Sequence, residues 1–400
     1  MKLTTFLLLI FFVVGCNTKH DDESRQSFLD DCDVVATIEV INGDSVIVCD
    51  YNKLKQRKNV PLDELLTDLT ILQMDNENDD GLIGSRLARN IIGEEYIIIF
   101  TSGSIPVKLY SKKGKYIRDI GRFGQGPGEY IAVDNVSMDE KNNRIYVLSF
   151  STDRVLVYDF EGNLHAPIPL AEEINYGNTI IVDPDKQELI VTKSPWVGGK
   201  HVVWIQDFEG NVIQGVKQSD YFSEDIRSSE STITRLQTPN IEFFSLNEYN
   251  VDQYLYHYNV EENRLVPKFR MKNMEEHWIF IYELPRHFVV EVATSTSSGV
   301  DGYSTPKMII EKHSLKGCYF DGFVMPEGIV LDHYDLLFNA YYGYFGLVDF
   351  GSYIGEKIEE VDREVLSPEN RRKLENLQQT IEEIPLDDDC SLLFYGKFKQ

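Results

Sequence analysis

A turn glycine recurs at a fixed interval along the middle of the chain, and this repeat constrains the fold more than any other feature. In VKLYSKKGKYI the glycine is Gly114, in VLVYDFEGNLH it is Gly162 and in VVWIQDFEGNVI it is Gly210, so both intervals are 48 residues. Two weaker copies follow at intervals of 52 and 55: YLYHYNVEENRL, where Glu262 takes the glycine's place, and MIIEKHSLKGCYF, with Gly317. Each copy is an alternating apolar run, a polar turn and a second alternating run, which is the pattern of a β-hairpin. Further β-rich runs lie between the copies, among them EEYIIIF, NRIYVLSF, QELIVTK, EFFSL, HFVVEVA and YDLLFNAYY. A unit of about 50 residues holding four short strands matches one blade of a β-propeller. Helical repeats would need apolar residues at three and four spacing, which these runs lack. Five hairpins and a sixth β-rich region near Tyr334 to Phe350 predict an all-β, six-bladed β-propeller occupying residues 34–400.

A propeller must also close its ring, because unpaired edges between first and last blades invite aggregation. Either the early stretch LTDLTILQM or the late stretch CSLLFYGKF, at about 391–398, can supply the closing strand. One C-terminal helix is predicted at about 367–383. Ser367 supplies the N-cap and Pro368 the first helical position, and Leu374, Leu377 and Ile381 follow at helical spacing.

The N-terminus carries an address. Lys2 precedes an apolar run from Leu3 to Val14, broken only by Thr4 and Thr5. The run is shorter than the roughly 20 apolar residues of a membrane-spanning helix. It reads as a secretory signal peptide over residues 1–15. The ending Val13-Val14-Gly15-Cys16 resembles the lipobox of bacterial lipoproteins, which makes Cys16 the predicted site of lipidation. Two acyl chains at one terminus suffice to hold a soluble body at a membrane. Residues 16–33 form a polar tether whose acidic triplet begins at Asp21, and it resembles the short export signals of surface lipoproteins in Bacteroidetes-type bacteria.

The segment GRFGQGPGEY, Gly121 to Tyr130, together with VLVYDFEGN resembles the six-bladed β-propeller lipoproteins of Bacteroidetes, relatives of NHL-type propellers. The resemblance implies a propeller and an outer-membrane lipoprotein, on the cell surface or the periplasmic face. It supplies no activity.

Charge narrows the partners. With 39 basic against 65 acidic residues the net charge is −26, which repels nucleic-acid phosphates, and no basic patch offsets it. Beyond Cys16 the chain has Cys32, Cys49, Cys318 and Cys390, without C-x₂-C spacing. Disulfides and buried free thiols are both open readings.

Few residues announce chemistry. Gly121, Gly124, Gly126 and Gly128 lack the G-x-G-x-x-G order of a phosphate loop, and no helix follows them. They read as a tight turn shaped by Pro127, with Arg122 and Glu129 as candidate ligand-binding residues at the rim. The acidic run Asp75 to Asp80 places Asn76, Asn78, Asp80 and Gly81 at calcium-loop positions, but Leu87 stands where the bidentate Glu belongs. The histidines form no zinc spacing and no G-x-S-x-G elbow occurs, so neither a metal nor a cofactor is expected. Trp196 and Trp204 flank VGGKH, and YYGYF runs from Tyr341 to Phe345; such aromatics either fill the wedge between blades or stack on sugars, with Trp196 the candidate ligand contact. Two functions follow. The first is a lipid-anchored binding module for a glycan, peptide or partner protein. The second is a hydrolase or lyase with an acidic, metal-assisted or metal-free site in the central channel.

Overall fold

The computed structural model describes residues 27–75, 79–85, 88–101, 103, 105–175, 178–222, 241–244, 253–274, 278–293, 307–332, 339–341, 343–383 and 390–400. The signal peptide, Cys16 and most of the tether lie outside them, as does the heart of the acidic run.

The hairpin repeat builds the blades. At the first three turn glycines the same contacts recur. Gly114, Gly162 and Gly210 take left-handed φ angles of +79°, +80° and +89°, and their N–H groups donate to the carbonyls of Ser111, Asp159 and Asp207. The last two copies add a side-chain lock: Asp159 accepts from the backbone and side-chain amides of Asn163, and Asp207 from those of Asn211. Burial resists the charge on Asp159, but Asn163 and His165 outweigh it and hold the carboxyl down at about 2.

Consecutive hairpins assemble into antiparallel sheets of four strands. Blade 1 comprises Arg89–Ile92, Tyr96–Phe100, Val107–Ser111 and Tyr116–Ile120. Blade 2 comprises Val133–Asp139, Arg144–Ser149, Thr152–Tyr158 and Ile168–Ile174. Blade 3 comprises Thr179–Asp183, Glu188–Thr192, His201–Asp207 and Val212–Lys217. Blade 4 contains Ile241–Phe244, Tyr254–Asn259 and Arg264–Lys272, and blade 5 contains Trp278–Glu283, His287–Ala293, Lys307–Glu311 and Gly317–Phe320. Blade 7 contains Asn339–Tyr341, Tyr344–Phe350, Ser391–Phe398 and Leu66–Gln73.

Between blades 5 and 7 the chain makes one more sheet, so the propeller has seven blades and not the six expected. This sixth blade in chain order is reduced to Phe323–Val324, Val330–Leu331 and a parallel strand, Val60–Pro61. Strands of two residues cannot display alternation, and the third strand comes from far upstream. No local hairpin pattern therefore marks it.

The N-terminal chain is an outer belt. Ala36–Ile41 and Asp44–Asp50 form a hairpin through Asn42-Gly43, and the second strand pairs in parallel with Arg264–Lys272, making blade 4 five-stranded. Arg264 holds the hairpin through a forked pair with Asp44, at 2.7 and 2.9 Å. Further on, Lys58 donates to the Tyr319 carbonyl of blade 5, Val60–Pro61 completes blade 6, and Leu66–Gln73 reaches blade 7. There it pairs with Ser391–Phe398. The early and the late candidate for closure are thus both used, side by side.

The core lies between blades. Phe100, Tyr130 and Leu156 fill the space between blades 1 and 2, and Val155, Leu189 and Trp204 that between 2 and 3. Phe269 of blade 4 stacks on Phe288 of blade 5 at 4.3 Å, and Phe323 bridges Phe320 and Phe345 across the reduced blade. Among the described residues two helices, not the one expected, lie between Tyr344–Phe350 and the closing strand. Pro368–Glu382 starts at Ser367, whose hydroxyl accepts from the Asn370 N–H, and buries Leu374 and Leu377. Gly351–Glu359 buries Ile354 and Ile358 against the same core, although its two glycines make it a poor helix former alone. Among the described residues no helix is long and apolar enough to cross a membrane.

Candidate functional site

The first strands of successive blades touch around the axis of the ring. The guanidinium of Arg89, on blade 1, donates to the Val133 and Asp134 carbonyls of blade 2 at 2.9 and 2.6 Å. The Asp134 carboxylate in turn accepts from the backbone and side-chain amides of Asn178, just before blade 3. These groups are buried, so each link satisfies polar atoms that would otherwise be costly to bury.

Where these first strands turn outward, the ring opens into a cavity of about 730 Å³. It is lined by the turns of blades 1 to 3 and by Tyr344 and Lys397 of blade 7. The rim is acidic: Glu94, Glu95, Asp139 and Glu140 line it together with Lys141 and Lys397.

These acids are not equivalent. Glu140 reaches back to blade 1 and accepts from the backbone N–H groups of Glu94, Glu95 and Tyr96 at 2.8, 3.0 and 2.9 Å. A Cβ at residue 93 would collide with that carboxylate, so Gly93 makes the approach possible. Asp139 is consumed by its own turn, accepting from Asn142. Lys141 points the other way, to Asp185 of blade 3 at 3.1 Å. Glu140 and Lys141 are therefore clasps between blades. The carboxylates of Glu94 and Glu95 are exposed and make no ion pair within 4 Å among the described residues, although the Lys112 ammonium lies near enough to feel the charge of Glu94. Among those residues no three His, Cys, Asp or Glu side chains converge as a metal site.

Gly121 to Tyr130 connects blade 1 to blade 2. Arg122–Phe123 and Glu129–Tyr130 pair in parallel as a two-residue ribbon. The structure brings Arg122 and Glu129 together as an ion pair. Glu129 also accepts from the Gly126 N–H at 2.8 Å, and that bond, then Arg122, holds its carboxyl below the usual range. Tyr130 donates to the Ile120 carbonyl and accepts from Val107 N–H, while Tyr158 donates to the Gly128 carbonyl. Gly121 and Gly128 take left-handed φ angles of +67° and +72°; Gly126 does not, so the glycines do not all serve one backbone purpose. Glu129, Tyr130 and Tyr158 are thus engaged in holding the turn, and Arg122 is paired with Glu129 although its side chain is exposed.

Trp196 belongs to a different blade. It sits in the connection before His201–Asp207, 43% exposed, with its backbone N–H and carbonyl held by Gln218. Nothing joins it to Arg122 or Glu129 among the described contacts. Trp204, by contrast, is fully buried and donates to Gln206.

The channel-mouth residues escaped the sequence reading, yet a signal exists. Glu95, Glu140 and Asp185 stand in equivalent turns at intervals of 45 residues. The turn glycines drew attention to the outer hairpins instead.

Residues 45–304, more than half of the chain, match the family described as a domain of unknown function, DUF4934. No curated protein matches the chain in sequence. Among solved structures, a Bacteroides fragilis NCTC 9343 protein described as exported is similar over 88% of this chain and 100% of its own, at 14% identity and a TM-score of 0.56. A Bacteroides caccae protein of unknown function is similar over 56% of this chain and 78% of its own, at 12% identity and a TM-score of 0.34. TolB from Acinetobacter baumannii is similar over 60% and 54%, at 11% identity and a TM-score of 0.32.

Proposed function

We propose, for a chain that belongs to the DUF4934 family, that it is an exported, lipid-anchored propeller whose channel mouth binds a peptide carrying basic groups. The observation that carries this reading is the 730 Å³ mouth with the exposed carboxylates of Glu94 and Glu95 on its rim. Concave sites with a few convergent polar groups are where ligands collect. A chain of net charge −26 also draws cations toward such a mouth over long range. Tyr344 lines the mouth, and its ring already takes the Lys112 ammonium at 5.2 Å.

The test is binding of Lys- and Arg-containing peptides to the mature protein by calorimetry and thermal shift. Binding is expected to raise the melting temperature, to weaken with salt and to fall at least about tenfold, or 1.4 kcal/mol, in Glu94→Gln/Glu95→Gln. A basic peptide that binds equally well to the double variant removes the mouth from the proposal. The exposed Trp196 favours a second reading, a glycan stacked on its ring; affinity for an oligosaccharide that disappears in Trp196→Ala would replace the first.

The anchor has its own measurement. Cys16→Ala is expected to abolish incorporation of labelled fatty acid and to move the protein from the membrane fraction to the soluble one. Unchanged membrane fractionation of that variant, with no label in the wild type, would discard the lipobox reading.

A further inference from the structure

Two cysteines far apart in sequence are placed opposite each other by backbone register. Val34 bridges Lys316 in antiparallel fashion, Val35 N–H donates to the Leu315 carbonyl at 2.9 Å, and Gly317 N–H donates to the Asp33 carbonyl at 3.3 Å. In each of these pairs the residue numbers sum to the same value, and the next pair outward is Cys32 and Cys318. Because 35–315 and 33–317 carry the hydrogen bonds, 34–316 is a non-hydrogen-bonded pair, and continuing that register makes 32–318 the next such position, where facing Cα atoms lie about 4.5 Å apart and side chains meet most closely. That spacing falls inside the range a disulfide requires. The side chains agree with the backbone: both are free thiols in the structure, buried in the core shared by blades 5, 6 and 7, and each lies close enough to perturb the other's titration.

We propose that Cys32 and Cys318 form a disulfide in the exported protein, tying the start of the outer belt to blade 5. The proposal rests on the export reading, since a reducing cytosol would keep both thiols reduced. The Cys32 thiolate attacks one sulfur of an oxidant disulfide and expels the other as a thiol. Cys318 then attacks the Cys32 sulfur of the mixed disulfide and expels the second thiol. One protein S–S bond forms, the oxidant S–S bond is reduced by two electrons, and the two protons leave on the two released thiols. Burial raises both thiols, Cys318 to about 12, so little thiolate exists once the belt has docked. Exchange therefore belongs to folding, before the belt closes. The bond would span almost the whole ring and would restrict the unfolded chain accordingly.

The experiment labels the full-length protein with an alkylating reagent under denaturing, non-reducing conditions and maps the peptides by mass. It uses two preparations, one refolded with oxidised glutathione and one taken from the envelope of a producing cell. Expected in both is label on Cys49 and Cys390, none on Cys32 and Cys318, and a cross-linked peptide pair that reductant separates. Reduction should lower the melting temperature of the wild type and leave that of Cys32→Ser and Cys318→Ser unchanged. Label on Cys32 and Cys318 in the refolded protein would overturn the geometric argument, whatever the compartment. A bond present after refolding but absent from the cell-derived protein would overturn the proposal through its premise, export to an oxidising compartment.

Discussion

Replacing Phe394 with Ala is expected to lower stability by about 3–5 kcal/mol, the usual cost of emptying a fully buried phenylalanine site, read as a fall in the urea midpoint at unchanged slope. Phe394 stands in the middle of Ser391–Phe398, paired on one side with Leu347 and on the other with Ile71. Its ring is completely buried. Leu392 and Phe394 face the core shared with the helices and the reduced blade, while Leu393 faces the core shared with blade 1. The strand is thus buried on both faces and joins the two ends of the chain. Without it Leu66–Gln73 has no partner in its sheet and blade 7 opens. Val365→Ala, at a position 77% exposed, is the control and should stay within about 0.5 kcal/mol of wild type. A loss below about 1 kcal/mol in Phe394→Ala would mean that the ring holds together without this closure.

The closing strand was legible because it alternates and ends a chain that must close, whereas its pairing partner was not. Two stretches were equally good candidates, and nothing in either sequence says that they lie side by side. The turns show the same division. Asp159 with Asn163 and Asp207 with Asn211 carry their own hydrogen bonds, so local chemistry identifies the turn. In the fourth copy the left-handed residue is Asn263, one position beyond Glu262. In the fifth it is Leu315, while Gly317 already belongs to the following strand. Leucine disfavours that conformation. Here its carbonyl accepts from Val35 and Ala36 of the belt, so a contact distant in sequence holds the turn. The candidate site was illegible for a related reason. Its rim is made of turns from three blades and two strand residues of a fourth, none of them distinctive alone. Arg122 and Glu129, which were distinctive, prove to be occupied with each other.

The same belt makes stability depend on pH. His287 opens a strand of blade 5 and is only 6% exposed, with the ring of Phe28 at 6.2 Å. Burial pushes its imidazole down to about 4; Glu311 favours the charged form, and Arg286 and Lys312 oppose it. In the unfolded chain the group titrates near 6.5. The folded protein therefore holds His287 neutral where the unfolded chain binds a proton. Its contribution is complete above about pH 6.5 and is lost as the pH falls through that value toward 4. At 1.36 kcal/mol per unit the loss by pH 4 amounts to about 3 kcal/mol. The Asp159 carboxyl, held down at about 2, keeps its charge across this window, and those of Glu172, Glu283 and Glu311 are also held below the usual carboxylate range. The measurement is urea unfolding of wild type and His287→Gln at intervals from pH 7 to pH 4. The variant should start less stable or equal at pH 7 and gain on the wild type by about 3 kcal/mol on reaching pH 4. A difference between the two proteins that stays constant across the window would show that His287 titrates alike in the folded and unfolded chain, and that the belt does not seal it from water.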